Sequence, residues 1–342
     1  MNKAQEKTLT PFLKRLTAKE RFNETDIGRA FELLVTEGTS PIQIAGFLTG
    51  LASRGETVNE ITGAVKLMRS KSLMMDAPEN TVDCCGTGGD NHGTLNISTA
   101  VSFVVAGCGV PVAKHGNYAA SSKSGAADVL SALGVKVNVD GQINHKALWQ
   151  NNICFLLATR HHPAVRFVAP VRKELGCRTI FNLLGPMLNP AGVKRQLVGV
   201  FDKKWMEPMA KSLKKLGSEH AMIVHGEDGL DEITTTGVTY VTELKDGKIE
   251  SYDIHPHDVG IGLYTLDDIK GGTPEENAKE LRELFEGKHG AYRDIVLFNS
   301  AALLMVSGKV KDLKEGMSLA EKSLDDGKAL ASLDNLIKIT NS

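Results

Sequence analysis

Apolar residues in the first 76 positions recur at helical spacing. Pro11-Phe-Leu-Lys-Arg-Leu and the runs Asp26 to Val35, Pro41 to Leu51 and Val58 to Met68 each repeat hydrophobic side chains roughly every 3.6 residues. Four short helices follow, enough for a small bundle. Helices this short do not bury all their apolar surface among themselves, so the pattern predicts a partner domain or subunit. From Thr81 the pattern switches to short β-rich runs between helical stretches. The predicted strands are Val82–Cys84, Val110–Ala113, Ile153–Ala158, Leu197–Phe201 and Ala221–Val224. The predicted helices are Ser98–Ala106, Gly125–Leu133, Trp205–Leu216 and four more near 275–286, 293–306, 317–326 and 328–337. Alternating strands and helices imply a mostly parallel sheet with helices on both faces. Residues 237–257 read as a β-hairpin around Asp246-Gly247, an antiparallel addition at the sheet edge. The fold class is α/β: a small α-helical bundle domain plus a large domain with a mostly parallel sheet flanked by helices. Ligands in such sheets bind at the carboxyl ends of the strands.

Composition narrows the function classes. With 42% hydrophobic and 24% charged residues among 342, the chain is ordinary globular material. A formal net charge of −1 gives no basic footprint for nucleic acid. No apolar run approaches the ~20 residues of a membrane span. Met1 to Arg15 carries no signal-peptide core, so the expectation is a cytoplasmic protein. Five cysteines, an odd number without zinc spacing, argue against a disulfide framework or a zinc site. Cys84, Cys85, Cys108 and Cys154 lie in apolar surroundings and read as small buried thiols.

The chemistry concentrates at glycine-bearing turns. Residues 82–99 contain Gly86-Thr-Gly-Gly-Asp, Gly93-Thr94 and Asn96-Ile-Ser-Thr. The spacing is neither that of a P-loop nor that of a dinucleotide fingerprint. Gly86, Gly88, Gly89 and Gly93 let the backbone bend and approach a ligand. Asn96, Ser98 and Thr99 open a helix, where Ser98 or Thr99 reads equally as an N-cap. Together these features aim hydroxyls, amides and N–H groups at one point, which suits a phosphate or pyrophosphate. Lys114-His115-Gly116-Asn117 reads as a second turn, its lysine a point charge for phosphate. Ser121-Ser122-Lys123-Ser124-Gly125 starts the next helix. Asp231-Glu232, after a strand, offers the oxygen ligands that Mg²⁺ prefers. Arg172 lies on the helical stretch Val165 to Leu175, where Pro170 predicts a kink or break. Its guanidinium can fork onto a substrate carboxylate or pair with Glu174. His161-His162-Pro163 cannot alone supply a metal's ligand set. There is no defensible Ser-His-Asp order, metalloprotease signature or nucleophilic cysteine, so the chemistry suggested is electrostatic and positional.

Gly86-Thr-Gly-Gly-Asp, Asn96-Ile-Ser-Thr, Lys114-His-Gly-Asn, Arg178-Thr-Ile-Phe-Asn-Leu-Leu-Gly-Pro-Met-Leu-Asn-Pro and Asp231-Glu232 together closely resemble the anthranilate phosphoribosyltransferase family, over essentially the whole chain. The resemblance implies a helical domain of residues 1–76 to which a segment near 168–190 returns. It implies a large domain of 77–167 and 191–342, and a homodimer through the helical domain. It implies phosphoribosyl pyrophosphate and anthranilate as substrates, with Mg²⁺ as two ions per subunit, in tryptophan biosynthesis. By the same resemblance Gly86, Gly89, Asp90 and Thr94 form the pyrophosphate loop, and Asn96, Ile97, Ser98 and Thr99 give helix-start contacts. Lys114 and Gly116, with Ser121, Ser122 and Ala126, complete the donor side. His115, Asn117 and Arg172 face anthranilate, with Arg172 on its carboxylate, and His162, Gly185 and Pro186 line its entrance. Ser98, Asp231 and Glu232 are metal ligands. Two positions depart from the family: Tyr118 stands where Arg is usual, and Ala126 where Ser is common. The rival readings are a pyrimidine nucleoside phosphorylase of the same fold, against which the Asp231-Glu232 pair counts, and a non-catalytic nucleic-acid-binding relative, against which the retained loop and near-neutral charge count.

Overall fold

The computed structural model describes residues 8–119 and 123–342. Four helices come first: α1 (Thr10–Thr17), α2 (Glu24–Leu34), α3 (Pro41–Arg54) and α4 (Val58–Ser70). Their starts follow local rules. Pro occupies the first turn of α1 and α3, where its missing N–H costs nothing. A Thr57/Glu60 capping box opens α4. Glu60 is fully buried, yet it accepts from the Phe22 and Thr57 N–H groups and pairs with Arg54.

A seven-stranded sheet follows: β1 (Val82–Gly86), β2 (Val112–Gly116), β3 (Ile153–Leu157), β4 (Arg195–Gly199), β5 (His220–Gly226), β6 (Thr239–Lys245) and β7 (Lys248–Ile254). Its order is β3-β2-β1-β4-β5-β6-β7, parallel through β5 and antiparallel at β6 and β7. The edge hairpin turns on Asp246 (φ 50°) and Gly247 (φ 74°), the paired left-handed residues of a tight hairpin turn. Between and after the strands run α5 (Ile97–Gly107), α6 (Ala126–Ala132), α7 (Gly141–Asn151), α8 (Ala158–His161), α9 (Ala169–Leu175), α10 (Phe181–Leu184), α11 (Met206–Lys215), α12 (Pro274–Phe285), α13 (Ala291–Ser307), α14 (Leu313–Asp325) and α15 (Lys328–Asn341). The amphipathic pattern did not reveal α7. Pro170 does not kink a helix. It sits in the first turn of α9, and the break falls before it, at Val168.

Two hydrophobic cores flank the sheet. One gathers Cys84, Leu197 and Met222 with α5, α13 and α15. The other gathers α1–α4 with Val168, Phe181 and Leu184, and continues onto Val198, Ile223 and Met209 of α11. The helical bundle thus buries its apolar face against residues near 168–188 and against α11, which in turn covers one face of β5. The strand order reverses at β1: β2 and β3 build to one side, β4 and β5 to the other. The crevice at that switch point, beyond the carboxyl ends of β1 and β4, is where such sheets bind ligands.

Candidate functional site

The loop leaving β1 is drawn down onto Asp231. A Cβ at Gly86 would lie 2.2 Å from Asp231 Oδ2, and one at Gly199 only 1.5 Å from the Asp231 carbonyl oxygen. The Gly88 N–H donates to Asp231 Oδ2 at 2.7 Å. Gly88, Gly89 and Gly93 all have positive φ, which carries the loop around this carboxylate. Asp90 adds a further negative charge beside Asp231. Burial, then the neighbouring Asp90, pushes the Asp231 carboxyl well above its usual range. Burial and Asp231 push Glu232 up to about 8, although Lys114 and the Ser98 N–H pull the other way.

Lys114 and His115 do not lie in a turn after the strand; both belong to β2, because pairing with β3 runs through Gly116↔Leu157. Lys114 is buried, and its ammonium donates to Cys84 O (2.9 Å) and Ser98 Oγ (3.2 Å). Asn96, not Ser98 or Thr99, is the N-cap of α5, and its side chain makes no capping bond. Ser98 and Thr99 lie in the first turn, while Ile97 and Thr99 point into the core. Thr94 pairs in a bridge with Lys270, and Asn96 Oδ1 accepts from Asn277 Nδ2 at 2.9 Å. Ala126 packs against Gly116, whose added Cβ would sit 3.2 Å away. Ser121 and Ser122 lie outside the described residues.

On the other side of β1 a cavity of about 330 Å³ opens, mostly apolar. Gly86, His115, Gly116, Asn117, His162, Arg172, Gly185 and Pro186, all singled out from the sequence, line it. Arg172 lies over the Phe181 ring, 5.1 Å from its centroid, and has no ion pair among the described residues. The Glu174 alternative therefore does not form. His115 and His162 meet edge to face at 5.2 Å. Burial pushes their imidazoles down to about 3 and about 4, so both are neutral at neutral pH. His162 Nδ1 shares a hydrogen bond with Ser72 Oγ (2.8 Å), which ties the end of the helical bundle to the cavity wall.

Several residues escaped the sequence reading. Arg166, Thr159 and Phe181 also line the cavity. Arg178 lies over Phe201 and donates to the Gly89 carbonyl, joining the segment before α10 to the glycine loop. Asp83, fully buried, accepts from Asn189 Nδ2 (2.7 Å) and the His115 N–H (3.3 Å). Arg69 donates to Met187 O and Gln196 to Pro186 O, fixing the wall that carries Gly185 and Pro186. Arg178 and Phe181 carried a signal, as part of the motif that ends at Pro190.

The donor chemistry at Asp231, Glu232 and Ser98 is all oxygen, and two adjacent carboxylates there lack a full countercharge. Among the described residues no group of three or more His, Cys, Asp or Glu closes on one point. That set fits a hard cation such as Mg²⁺, which completes its shell with waters and phosphate oxygens.

Comparison with known proteins places this architecture. Residues 10–72 match the helical bundle domain of the glycosyl transferase family, and residues 78–330 match its a/b domain. The chain is 54% identical to the anthranilate phosphoribosyltransferase of Paramagnetospirillum magneticum, over 96% of this chain and 95% of that one. It is 55% identical to that of Azospirillum brasilense, over 96% and 92%. Among solved structures, anthranilate phosphoribosyltransferase from Thermus thermophilus superposes with a TM-score of 0.91 at 39% identity, covering 96% of this chain and 99% of that one. The Saccharomyces cerevisiae enzyme in complex with PRPP and Mg gives 0.90 at 30% identity, covering 99% of each. The chain belongs to the anthranilate phosphoribosyltransferase family.

Proposed function

We propose that this chain transfers the phosphoribosyl group of phosphoribosyl pyrophosphate (PRPP) to the amine of anthranilate, giving N-(5-phosphoribosyl)anthranilate and pyrophosphate, in tryptophan biosynthesis. The observation that carries the reading is the position of Gly86. It lines the apolar cavity on one side and touches Asp231 on the other, so donor and acceptor chemistry meet at one strand end. Relatives of the same family have been solved with PRPP and Mg, and with 4-fluoroanthranilate.

We assign the division of labour as the family resemblance implies it. Gly86, Gly89, Asp90 and Thr94 cradle the pyrophosphate with backbone N–H groups. Asn96, Ser98 and Lys114 hold the phosphoribosyl end, with Ile97, Thr99 and Gly116 contributing backbone and Ala126 flanking it. Asp231, Glu232 and Ser98 would hold two Mg²⁺ ions per subunit, which when bound would supply positive charge to the leaving group. Arg172 takes the carboxylate of anthranilate, against a wall of His115, Asn117, His162, Gly185 and Pro186. Because both imidazoles are neutral, the cavity's positive charge comes from arginine, which orients an aromatic acid carboxylate-first. The anilinic amine is unprotonated at neutral pH and attacks the ribose C1 directly, so no side chain acts as a nucleophile. Alignment of the two substrates supplies much of the acceleration.

Residues 1–76 with 168–190 act as one domain and 77–167 with 191–342 as the other, and closing them excludes water. We further propose a homodimer through the helical domain. We place the enzyme in the cytoplasm, working without nucleic acid or membrane. No helix among the described residues is long and apolar enough to cross a bilayer. The test is loss of anthranilate fluorescence with PRPP and Mg²⁺. Wild type is expected to turn over, and Asp231→Asn with Glu232→Gln to abolish both turnover and Mg²⁺ dependence. Unchanged kinetics in the double variant would remove the metal assignment.

A further inference from the structure

We infer that Asn277, on α12, is a positioning residue that sets which end of the Asn96 amide faces the sugar-phosphate substrate. The inference rests on the donor-side role of Asn96 proposed above. Asn277 is 181 positions from Asn96, is buried, and follows the Thr273/Glu276 capping box. Its two amide ends are not interchangeable. The Gly272 N–H donates to it at 2.7 Å, and an N–H can bond only to the carbonyl oxygen. The NH₂ group of Asn277 therefore faces Asn96 and requires an acceptor there. That acceptor is Asn96 Oδ1, at 2.9 Å, which the Ser124 hydroxyl also approaches at 3.3 Å. With its oxygen turned inward, Asn96 presents its NH₂ group on the remaining side, where one N–H makes a long bond to Ser124 O (3.4 Å). A donor at that point suits an anionic, hydroxyl-rich ligand; an oxygen there would repel it.

The relay is braced on all sides. The Tyr292 hydroxyl donates to Asn96 O at 3.3 Å. Gly271 crosses so close to Thr94 that a Cβ would meet its carbonyl oxygen at 2.5 Å. The Gly271 N–H donates to Gly93 O, and the Leu95 N–H donates to Ile269 O. Polarity thus passes from one backbone N–H through two amides to the ligand, and a loop after β7 determines how a loop after β1 greets its substrate.

Asn277→Asp tests this, because a carboxylate keeps the Gly272 bond and the shape but cannot donate. Asn96 must then turn its NH₂ inward and offer its oxygen to the phosphates. The expected result is a rise of about tenfold or more in KM for PRPP, the size of one lost bond to a charged ligand. KM for anthranilate should stay within about twofold and the thermal midpoint close to wild type, the inward pairing being re-made. Asn277→Ala, which frees the Asn96 amide without reversing it, should fall between wild type and Asn277→Asp. Asn96→Ala should itself raise KM for PRPP, and adding Asn277→Asp to it should cost nothing further. If Asn96→Ala raises that KM and Asn277→Asp does not, the relay is wrong and the donor-side reading stands. If both KM values and the thermal midpoint change together in Asn277→Asp and Asn277→Ala alike, Asn277 is merely structural. If Asn96→Ala leaves KM for PRPP unchanged, the donor-side reading fails and takes the relay with it.

Discussion

Gly86→Ala is the sharpest perturbation the site allows. The new Cβ would sit 2.2 Å from Asp231 Oδ2 and 2.8 Å from its Cγ. Asp231 cannot back away as a whole, because its carbonyl oxygen is pressed against Gly199. The carboxylate must instead rotate by roughly an ångström to reach ordinary contact distance, and in doing so it releases the Gly88 N–H. A hydrogen bond to a charged group contributes about 1.5–3 kcal/mol, which converts to roughly 10- to 150-fold in a binding constant. The backbone itself accepts alanine, since Gly86 is not among the residues with positive φ. The expected outcome is a folded protein whose half-saturating Mg²⁺ concentration rises by one to two orders of magnitude at saturating PRPP, read from anthranilate fluorescence. Gly88→Ala is the control. Its φ is +67° but no atom lies within 4 Å of an added Cβ, so it should cost about 1 kcal/mol of stability and leave the Mg²⁺ titration nearly unmoved. A Gly86→Ala enzyme with wild-type Mg²⁺ dependence would refute the claim that Asp231 is held in place for a metal.

The remaining predictions concern charge. Because Asp231 and Glu232 hold their protons to higher pH in the fold than in the unfolded chain, the metal-free protein binds more protons than its unfolded state from the ordinary carboxylate range up to about pH 8. Their contribution to stability therefore falls as pH rises through that window. Thermal midpoints in EDTA should show the fall, Asp231→Asn with Glu232→Gln should flatten it, and Mg²⁺ affinity should climb over the same range. A slope unchanged in that variant would assign it to other groups. Arg172→Gln should raise KM for anthranilate about 10- to 100-fold while leaving that for PRPP nearly fixed; equal effects on both would move Arg172 off the acceptor. Tyr118, 46% exposed, fills no cavity, so Tyr118→Arg should lower KM for PRPP by only about two- to fivefold, the reach of one exposed charge. An unchanged constant would place residue 118 away from the phosphates. Asp83→Ala should cost about 2–5 kcal/mol in urea unfolding, because it leaves one N–H of the Asn189 amide and the His115 N–H without their buried acceptor. A loss under about 1 kcal/mol would mean that water replaces the carboxylate.

Much of this was legible in the chain because the relevant signals are local. Period and glycine placement gave the strands, the hairpin at Asp246-Gly247 and the loop after β1. The boundaries slipped where burial outweighed composition. Lys114 and His115 look like turn residues, yet they extend β2, because the Lys114 ammonium finds Cys84 O and Ser98 Oγ inside the fold. Helix α7 carries Asn144 and Asn151 on its buried face, so no apolar stripe announced it. Asp83, Arg69, Gln196 and Asn277 were invisible for a related reason. Each is a polar residue whose work is done through a partner at least 10 and as many as 181 positions away, and no spacing rule reaches that far.

The sheet's own period explains why one site can hold two unlike substrates. Side chains along a strand alternate between faces. In β1, Cys84 faces α5, its thiol near Ser98 O and Ser102 Oγ, while Asp83 points the other way to Asn189. In β2, Lys114 faces α5 and Ser98, while its neighbour His115 meets His162 in the cavity. The same alternation in β4 sends Leu197 into one hydrophobic core and Val198 into the other. A charged, oxygen-rich half therefore forms over one face and an apolar, aromatic half over the other, kept apart by the strands themselves. They can meet only where the strands stop. Gly86 stands at that point, without a side chain to block either half, and the chain needs no mobile nucleophile because the end of β1 already brings the two together.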